Sequence, residues 1–102
     1  MSMEKYELKI FPSAEQDLKD VINYLNEFSP QAALKIYDEI VAGIASLEQM
    51  PMRCSLAKNT VLRAKQYRLL LVQNYVVFFI VNGNVVQIRR ILYGRRQYEF
   101  LL

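Results

Sequence analysis

Hydrophobic and polar residues follow two different periods along the chain, and the change of period divides it into a helical half and a strand-rich half. Residues Tyr6 to Phe11 alternate apolar and polar, which predicts a short, half-buried strand. Pro12 ends this run. Ser13, followed three residues later by Gln16, is typical of a helix N-terminus, so we expect a first amphipathic helix over residues 14–28.

A second amphipathic helix follows directly. Ser29 is a suitable N-cap, Pro30 suits the first helical position, and the apolar stripe ends near Met50-Pro51. Two such helices joined by a tight break predict an antiparallel helical hairpin. Residues 51–64 show no clean period and contain several basic residues, and we interpret them as a surface loop.

Three apolar runs after this loop predict an antiparallel meander. They are Tyr67 to Val72, Tyr75 to Val81 and Val85 to Leu92, separated by Gln73-Asn74 and Asn82-Gly83. Asn-Gly between two such runs is the strongest short-range signal for a β-hairpin. The predicted order is therefore β-α-α-β-β-β, an α+β fold with the helical hairpin packed on one face of an antiparallel sheet, in a single domain over residues 1–102.

Both faces of this predicted sheet are mainly apolar. With two-residue turns, one face carries residues such as Val77 and Phe79, and the other carries Val76 and Phe78. Two helices can cover only one face. A partner polypeptide is the simpler cover for the second, with self-association and deeper burial within the chain as alternatives, and residues 100–102 are expected to pack back on the domain.

Charge is segregated between the two halves. Residues 1–49 hold four basic and nine acidic side chains, a net charge of −5, whereas residues 50–102 hold nine basic and one acidic, a net charge of +8. This distribution favours an anionic partner on the C-terminal half. The chain contains no apolar stretch long enough to span a membrane and no signal-type N-terminus, so we expect a cytoplasmic protein.

Residue composition limits the chemistry. Histidine is absent and Cys54 is the single cysteine, which excludes Ser-His and Cys-His catalytic pairs and makes a zinc site untenable. We expect neither a metal nor another cofactor. RNA cleavage without histidine is still chemically feasible, because the 2′-hydroxyl is an internal nucleophile that needs orientation, cations and a weak acid or base.

Arginine and tyrosine are interleaved toward the end of the chain, as in surfaces that bind phosphate and stack on bases. On the predicted register Arg68 and Arg90 share a face. The same arginines could instead dock an acidic peptide. The candidate residues for binding a target or a partner are Arg68, Tyr75, Arg90, Tyr93, Arg95, Arg96 and Tyr98.

The predicted element order, together with the stretches Tyr67 to Leu70, Asn74 to Phe79 and Val86 to Tyr98, resembles the RelE/ParE superfamily of toxins from bacterial type II toxin-antitoxin systems. The last stretch is similar to the signature R-[IV]-L-[HY]-G-x-R-[DQ]-[YW]. The resemblance implies a growth-inhibiting toxin that is neutralised by a cognate antitoxin, whose apolar and acidic segment wraps it.

Members of this superfamily have one of two activities. RelE-like toxins are mRNA endoribonucleases that act on the ribosome, and ParE-like toxins inhibit DNA gyrase. If this chain is an enzyme, the resemblance implies a metal-independent endoribonuclease, and the candidate catalytic residues are Arg68, Arg90, Arg95 and Tyr98.

Three departures from the RelE-like pattern favour the gyrase activity. Val76 and Leu70 stand where RelE-like nucleases carry an arginine and a lysine, and the histidines of several related nucleases are absent. The hypothesis is therefore a ParE-like inhibitor of DNA gyrase. The alternatives are a ribosome-dependent mRNA endoribonuclease and an inactive family member that acts only as a binding partner.

Overall fold

The computed structural model describes residues 5–94 and residue 102, and these confirm an α+β fold with the predicted order of strands and long helices. A short third helix precedes the meander. The elements are β1 (Glu7–Ile10), α1 (Pro12–Asn26), α2 (Pro30–Ser46), a 3₁₀ turn (Pro51–Arg53), α3 (Thr60–Ala64), β2 (Arg68–Val72), β3 (Tyr75–Asn82) and β4 (Val85–Tyr93).

The four strands form one sheet in the order β1-β4-β3-β2. β2, β3 and β4 pair antiparallel, as the meander predicted. β1 instead pairs parallel to β4, so the sheet is mixed rather than wholly antiparallel. Parallel neighbours need a long crossover, and the chain between β1 and β4 supplies one that includes the helical hairpin.

The two long helices begin differently. The Ser29 hydroxyl accepts a hydrogen bond from the Ala32 N–H at 3.2 Å, which confirms Ser29 as the N-cap of α2. The prediction that Ser13 caps α1 is wrong, because α1 already begins at Pro12 and its N-cap is Phe11. Proline suits this first position since its φ is preset and it has no N–H to satisfy.

The β3–β4 turn is shifted by one residue from the predicted position. Asn82 pairs with Val85, so Gly83 and Asn84 are the central residues. Gly83 has φ +62°, which fits a turn that needs glycine at its first central position. Each β3 residue therefore pairs with a β4 residue two positions later than predicted. Residues two positions apart on a strand share a face, so up to the bulge the side chains stay on their predicted faces.

A β-bulge in β4 changes the faces near the end of that strand. Phe79 pairs with Ile88 and Phe78 pairs with Arg90, which leaves Arg89 as the extra residue. Regular alternation predicts Ile88 and Ile91 on opposite faces, but the bulge brings both into the core beneath the helices.

Each face of the sheet has its own apolar core. The core under α1 and α2 contains Ala14, Ile40, Ile44, Leu47, Val72, Val77, Phe79, Val86, Ile88 and Ile91. The core on the second face contains Ala57, Leu62, Tyr67, Val76, Phe78 and Leu92. Both cores are apolar, and no polar or charged residue is classed as buried among the described residues.

Residues 54–66, which we call the strap, pack on the second face. The interpretation of residues 51–64 as a surface loop is wrong, because they contain a 3₁₀ turn and α3 and bury Ala57 and Leu62 against the sheet. The strap follows the edge of β2, where the Ala57 N–H donates to the Tyr67 carbonyl oxygen at 2.8 Å. The prediction that a partner covers this face is therefore wrong for Val76, Phe78 and Leu92, which are buried within the chain.

The two edges of this second core differ. Leu71 on β2 remains 72% exposed. Leu102 packs against the core, and its carbonyl oxygen accepts a hydrogen bond from Lys65 Nζ at 3.2 Å, which agrees with the expected packing of the last residues. Residues 100–101 of that prediction lie outside the described residues. No described helix has the length and apolar character needed to cross a membrane.

Candidate functional site

A groove of about 480 Å³ opens on the helical side of the sheet, between α1 and the paired ends of β3 and β4. Its position brings together two predicted binding residues, Tyr75 and Tyr93, with a third tyrosine from α1. We call it the tyrosine groove. Its lining residues are Asp17, Asp20, Val21, Tyr24, Tyr75, Ile91, Leu92 and Tyr93.

Strand register and helix spacing build this groove. Tyr75 and Tyr93 are direct cross-strand partners, and their rings lie edge to face with centroids 5.8 Å apart. Asp17, Asp20 and Tyr24 follow one another at intervals of three and four residues, so they lie on one side of α1. Tyr24 is 60% exposed and forms the outer wall.

The hydroxyl of Tyr75 is harder to deprotonate than that of an exposed tyrosine. Burial raises the pKa of Tyr75 above its usual value of 10, and the nearby hydroxyls of Tyr93 and Tyr24 raise it further. Tyrosine is already protonated at neutral pH, and this shift extends the protonated range of Tyr75 to higher pH. Its ring and hydroxyl are therefore neutral contacts in the groove.

Arg90 lies beside the groove and pairs with Asp17. Arg90 Nε and Nη2 donate to the two carboxylate oxygens of Asp17 at 2.6 and 2.9 Å, and Asp17 also accepts from the Ile91 N–H at 2.9 Å. The side chains are 21% and 12% exposed. The hydrogen bond that Arg90 donates to Asp17 raises the pKa of Arg90. One carboxylate thus binds both the guanidinium and the backbone that follows the bulge.

Arg68 lies at the opposite end of β2 from the groove. The prediction that Arg68 and Arg90 share a face does not hold in the register, because Arg68 pairs with Phe79 and the bulge pairs Arg90 with Phe78. The Nη1 of Arg68 donates to the carbonyl oxygen of Cys54 at 2.6 Å and to that of Met52 at 3.4 Å. Val72, the strand neighbour of Tyr75, lies four residues further along β2, which corresponds to about 13 Å of strand. Arg68 is therefore a clamp on the 3₁₀ turn rather than part of the tyrosine groove.

The remaining candidates are Arg95, Arg96 and Tyr98, which lie outside the described residues. The last described residue before them is Gly94, whose N–H donates to the Asn74 carbonyl oxygen at 2.8 Å beside the β2–β3 turn. The structure thus brings Tyr75 and Tyr93 together in the tyrosine groove, links Arg90 to the groove through Asp17, and leaves Arg68 outside it.

Comparison with known proteins now identifies the family. The chain matches the ParE toxin of type II toxin-antitoxin systems, parDE, over residues 8–98. The chain belongs to the ParE toxin family. It is therefore a toxin of a type II toxin-antitoxin system within the RelE/ParE superfamily, as the resemblance implied, and a ParDE system implies an antitoxin partner.

A solved structure shares the fold of this ParE-family toxin. It is described as a chromosomal ParDE TA system from P. aeruginosa, and it superposes with a TM-score of 0.72 at 24% sequence identity. The match covers 88% of this chain and 97% of that chain. No curated protein sequence matches significantly.

Two residues of the tyrosine groove in this ParE-family toxin were not predicted from the sequence. Asp17 and Tyr24 lie on α1 and were not candidates, although both were visible as polar or aromatic positions on one side of a helix. The available signal was a carboxylate next to the apolar stripe of a helix that must pack on a sheet rich in arginine. Such a carboxylate needs a cationic partner when it is buried.

The arrangement suits binding better than proton transfer. The groove offers three aromatic rings and a carboxylate on its rim, and Tyr75 favours its neutral form. Arg90 is paired with Asp17 and Arg68 is bound to backbone carbonyls. Among the described residues no group of histidine, cysteine and carboxylate side chains could hold a metal ion.

Proposed function

We propose that this ParE-family toxin inhibits growth in the cytoplasm by binding DNA gyrase, and that its cognate antitoxin silences it by covering the exposed apolar and basic surface. In this proposal the toxin acts by protein binding and has no nuclease chemistry.

The observation that carries the proposal is the state of Arg68 and Arg90, two of the four candidate catalytic residues. Arg90 makes two hydrogen bonds to Asp17, and Arg68 donates to the carbonyl oxygens of Cys54 and Met52. A nuclease needs such guanidinium groups free to stabilise the charge that develops on the phosphate. These two are bound to the fold, on strands that β3 separates.

Tyr75 and Val76 support the same proposal. The raised pKa of Tyr75 disfavours the tyrosinate that a general base would require. Val76 occupies the position where RelE-like nucleases have an arginine, and it is 5% exposed in the core of the second face.

The surface beside Leu71 fits the proposed antitoxin. Leu71 is exposed at the edge of the sheet, and with Leu56 and Leu69 it lines a groove of about 410 Å³ that Lys58 borders. Apolar side chains of an antitoxin segment would cover the leucines, and an acidic residue beside them would pair with Lys58.

The second candidate function is the mRNA endoribonuclease, and one observation favours it. Arg68 bonds to neutral carbonyl oxygens, so no described carboxylate neutralises its charge. That charge contributes to the positive field of the C-terminal half, which an RNA phosphate could use.

Primer extension on cellular mRNA after toxin induction tests the proposal. We expect growth arrest without codon-positioned cuts, and the same result for Arg68→Ala when its protein level matches that of the wild type. Arg63→Ala, at an exposed basic position on α3, is the matched control. Codon-positioned cuts that disappear only in Arg68→Ala would establish the nuclease, and unaffected growth would establish an inactive binding partner.

A further inference from the structure

We propose that the tyrosine groove is a receptor for one basic side chain, preferably arginine, of the protein target. This inference rests on the proposed function, because it requires a target that is a protein. It also requires the acidic antitoxin segment to bind the toxin outside this groove.

The aromatic walls supply the first part of the argument. Tyr24, Tyr75 and Tyr93 approach from α1, β3 and β4, and the ring centroids of the last two are 5.8 Å apart. Tyrosine rings attract a cation over their faces, and the attraction is largest where the cation is partly desolvated. Their phenol oxygens can also accept hydrogen bonds from a guanidinium.

The balance of charge in the groove supplies the second part. Arg90 already neutralises Asp17. Asp20, one helical turn further on, accepts a hydrogen bond from the neutral Gln16 Nε2 at 2.9 Å and forms no ion pair with a described residue. The described lining therefore keeps one uncompensated negative charge beside three aromatic rings.

This local charge is opposite to that of the C-terminal half as a whole, because α1 supplies the carboxylates. An acidic segment would meet Asp20 at close range, whereas an ammonium or guanidinium would be attracted. Arginine is preferred because its planar guanidinium stacks on aromatic rings while its edge donates to a carboxylate. A groove of about 480 Å³ is large enough for one side chain and its neighbouring backbone.

A pair of short peptides tests this receptor directly. The probes are acetyl-Gly-Arg-Gly-amide and the same peptide with citrulline, which keeps the shape of arginine and removes its charge. They are titrated into the full-length toxin while the ring resonances of its isotope-labelled tyrosines are recorded by NMR. We expect saturable shifts of Tyr24, Tyr75 and Tyr93 with the arginine peptide, and a much weaker response to citrulline.

Variants on α1 and α2 sharpen the test. Asp20→Asn should weaken binding of the arginine peptide about 3-fold, as expected for one exposed ion pair, and Tyr24→Leu should weaken it by a similar factor. The matched controls are Asp38→Asn and Tyr37→Leu at exposed positions of α2 outside this groove, which should leave the affinity unchanged.

The inference is overturned if the arginine peptide gives no saturable shifts, if citrulline binds equally well, or if the α1 and α2 variants behave alike. Binding that appears only after Arg95→Gln and Arg96→Gln are introduced would also overturn it, since the chain's own arginines would then occupy the groove. The gyrase proposal is judged separately. Inhibition of purified gyrase by a toxin that does not bind the peptide would refute only the arginine receptor. Binding of the peptide by a toxin that leaves gyrase active would refute only gyrase as the target.

Discussion

Arg90 lies on β4 and Arg68 on β2, with β3 between them, and the two arginines have different partners. Arg90 is paired with a carboxylate on α1, at the corner where the tyrosine groove opens. Arg68 donates to two backbone carbonyl oxygens of the 3₁₀ region at the other end of β2. The first contact joins opposite charges, and the second joins a charge to neutral dipoles.

This difference shows how the same residue type acquires different roles within one sheet. At the Arg90 corner the positive charge is neutralised, and the surface beside it is aromatic and slightly acidic. At the Arg68 corner no described carboxylate neutralises the positive charge, and this charge lowers the pKa of the neighbouring Cys54 thiol. A cationic side chain would favour the first corner and an anionic group the second.

The largest effect should follow from removing the charge of Asp17. Asp17→Asn leaves the Arg90 guanidinium partly buried without its counter-charge and weakens the acceptor of the Ile91 N–H. We expect the free energy of unfolding to fall by about 2–3 kcal/mol, measured by urea denaturation, because an unpaired buried charge is costly.

Asp20→Asn, three residues further along α1 and exposed, is the control for this change. Its expected cost is below about 0.5 kcal/mol. Equal losses for the two variants would show that the ion pair does not anchor the bulge of β4.

A smaller effect is expected at the other corner. Arg68→Gln removes the charge-assisted hydrogen bonds to the carbonyl oxygens of Cys54 and Met52, and should lower the free energy of unfolding by about 1–1.5 kcal/mol. The matched control is Arg63→Gln, at an exposed position of α3, which should stay within about 0.5 kcal/mol of the wild type.

Cys54 reports on the persisting charge of Arg68. Burial raises the pKa of the Cys54 thiol, while Arg53 and Arg68 lower it. Arg68→Gln should therefore raise this pKa further, which moves the midpoint of the pH dependence of thiol alkylation upward. An unchanged midpoint would mean that the Arg68 charge does not reach the thiol.

The smallest effect concerns the groove at alkaline pH. The folded state raises the pKa of Tyr75, so its stabilising contribution is complete below pH 10 and is lost as the pH rises through the folded-state pKa. Tyr75→Phe should make the unfolding free energy fall less steeply above pH 10, measured by denaturation across a pH series. The same slope in both proteins would contradict the buried, protonated Tyr75.

Local pattern was sufficient for the strands and the two long helices, and for the assignment of most strand side chains to a face. The alternation of Val76, Val77, Phe78 and Phe79 placed each residue correctly, because period 2 is a property of the strand itself. Ser29 was also correctly identified as an N-cap, because capping is local: the hydroxyl and the N–H it binds are three residues apart.

Contacts between distant parts of the chain were beyond local pattern. The bulge that brings Ile91 under the helices is bound by Asp17, which is 74 residues away in sequence. The strap was misread because its buried residues, Ala57 and Leu62, follow no single period. The tyrosine groove needs α1 to lie beside the ends of β3 and β4, and only the tertiary structure provides that arrangement.

Supercoiling by purified DNA gyrase tests the central claim most directly. We predict that the purified toxin inhibits supercoiling, that its cognate antitoxin restores it, and that Arg68→Gln still inhibits when the folded protein is present at equal concentration. Full gyrase activity in the presence of the toxin, combined with ribosome-dependent cleavage of mRNA that requires Arg68, would contradict the account.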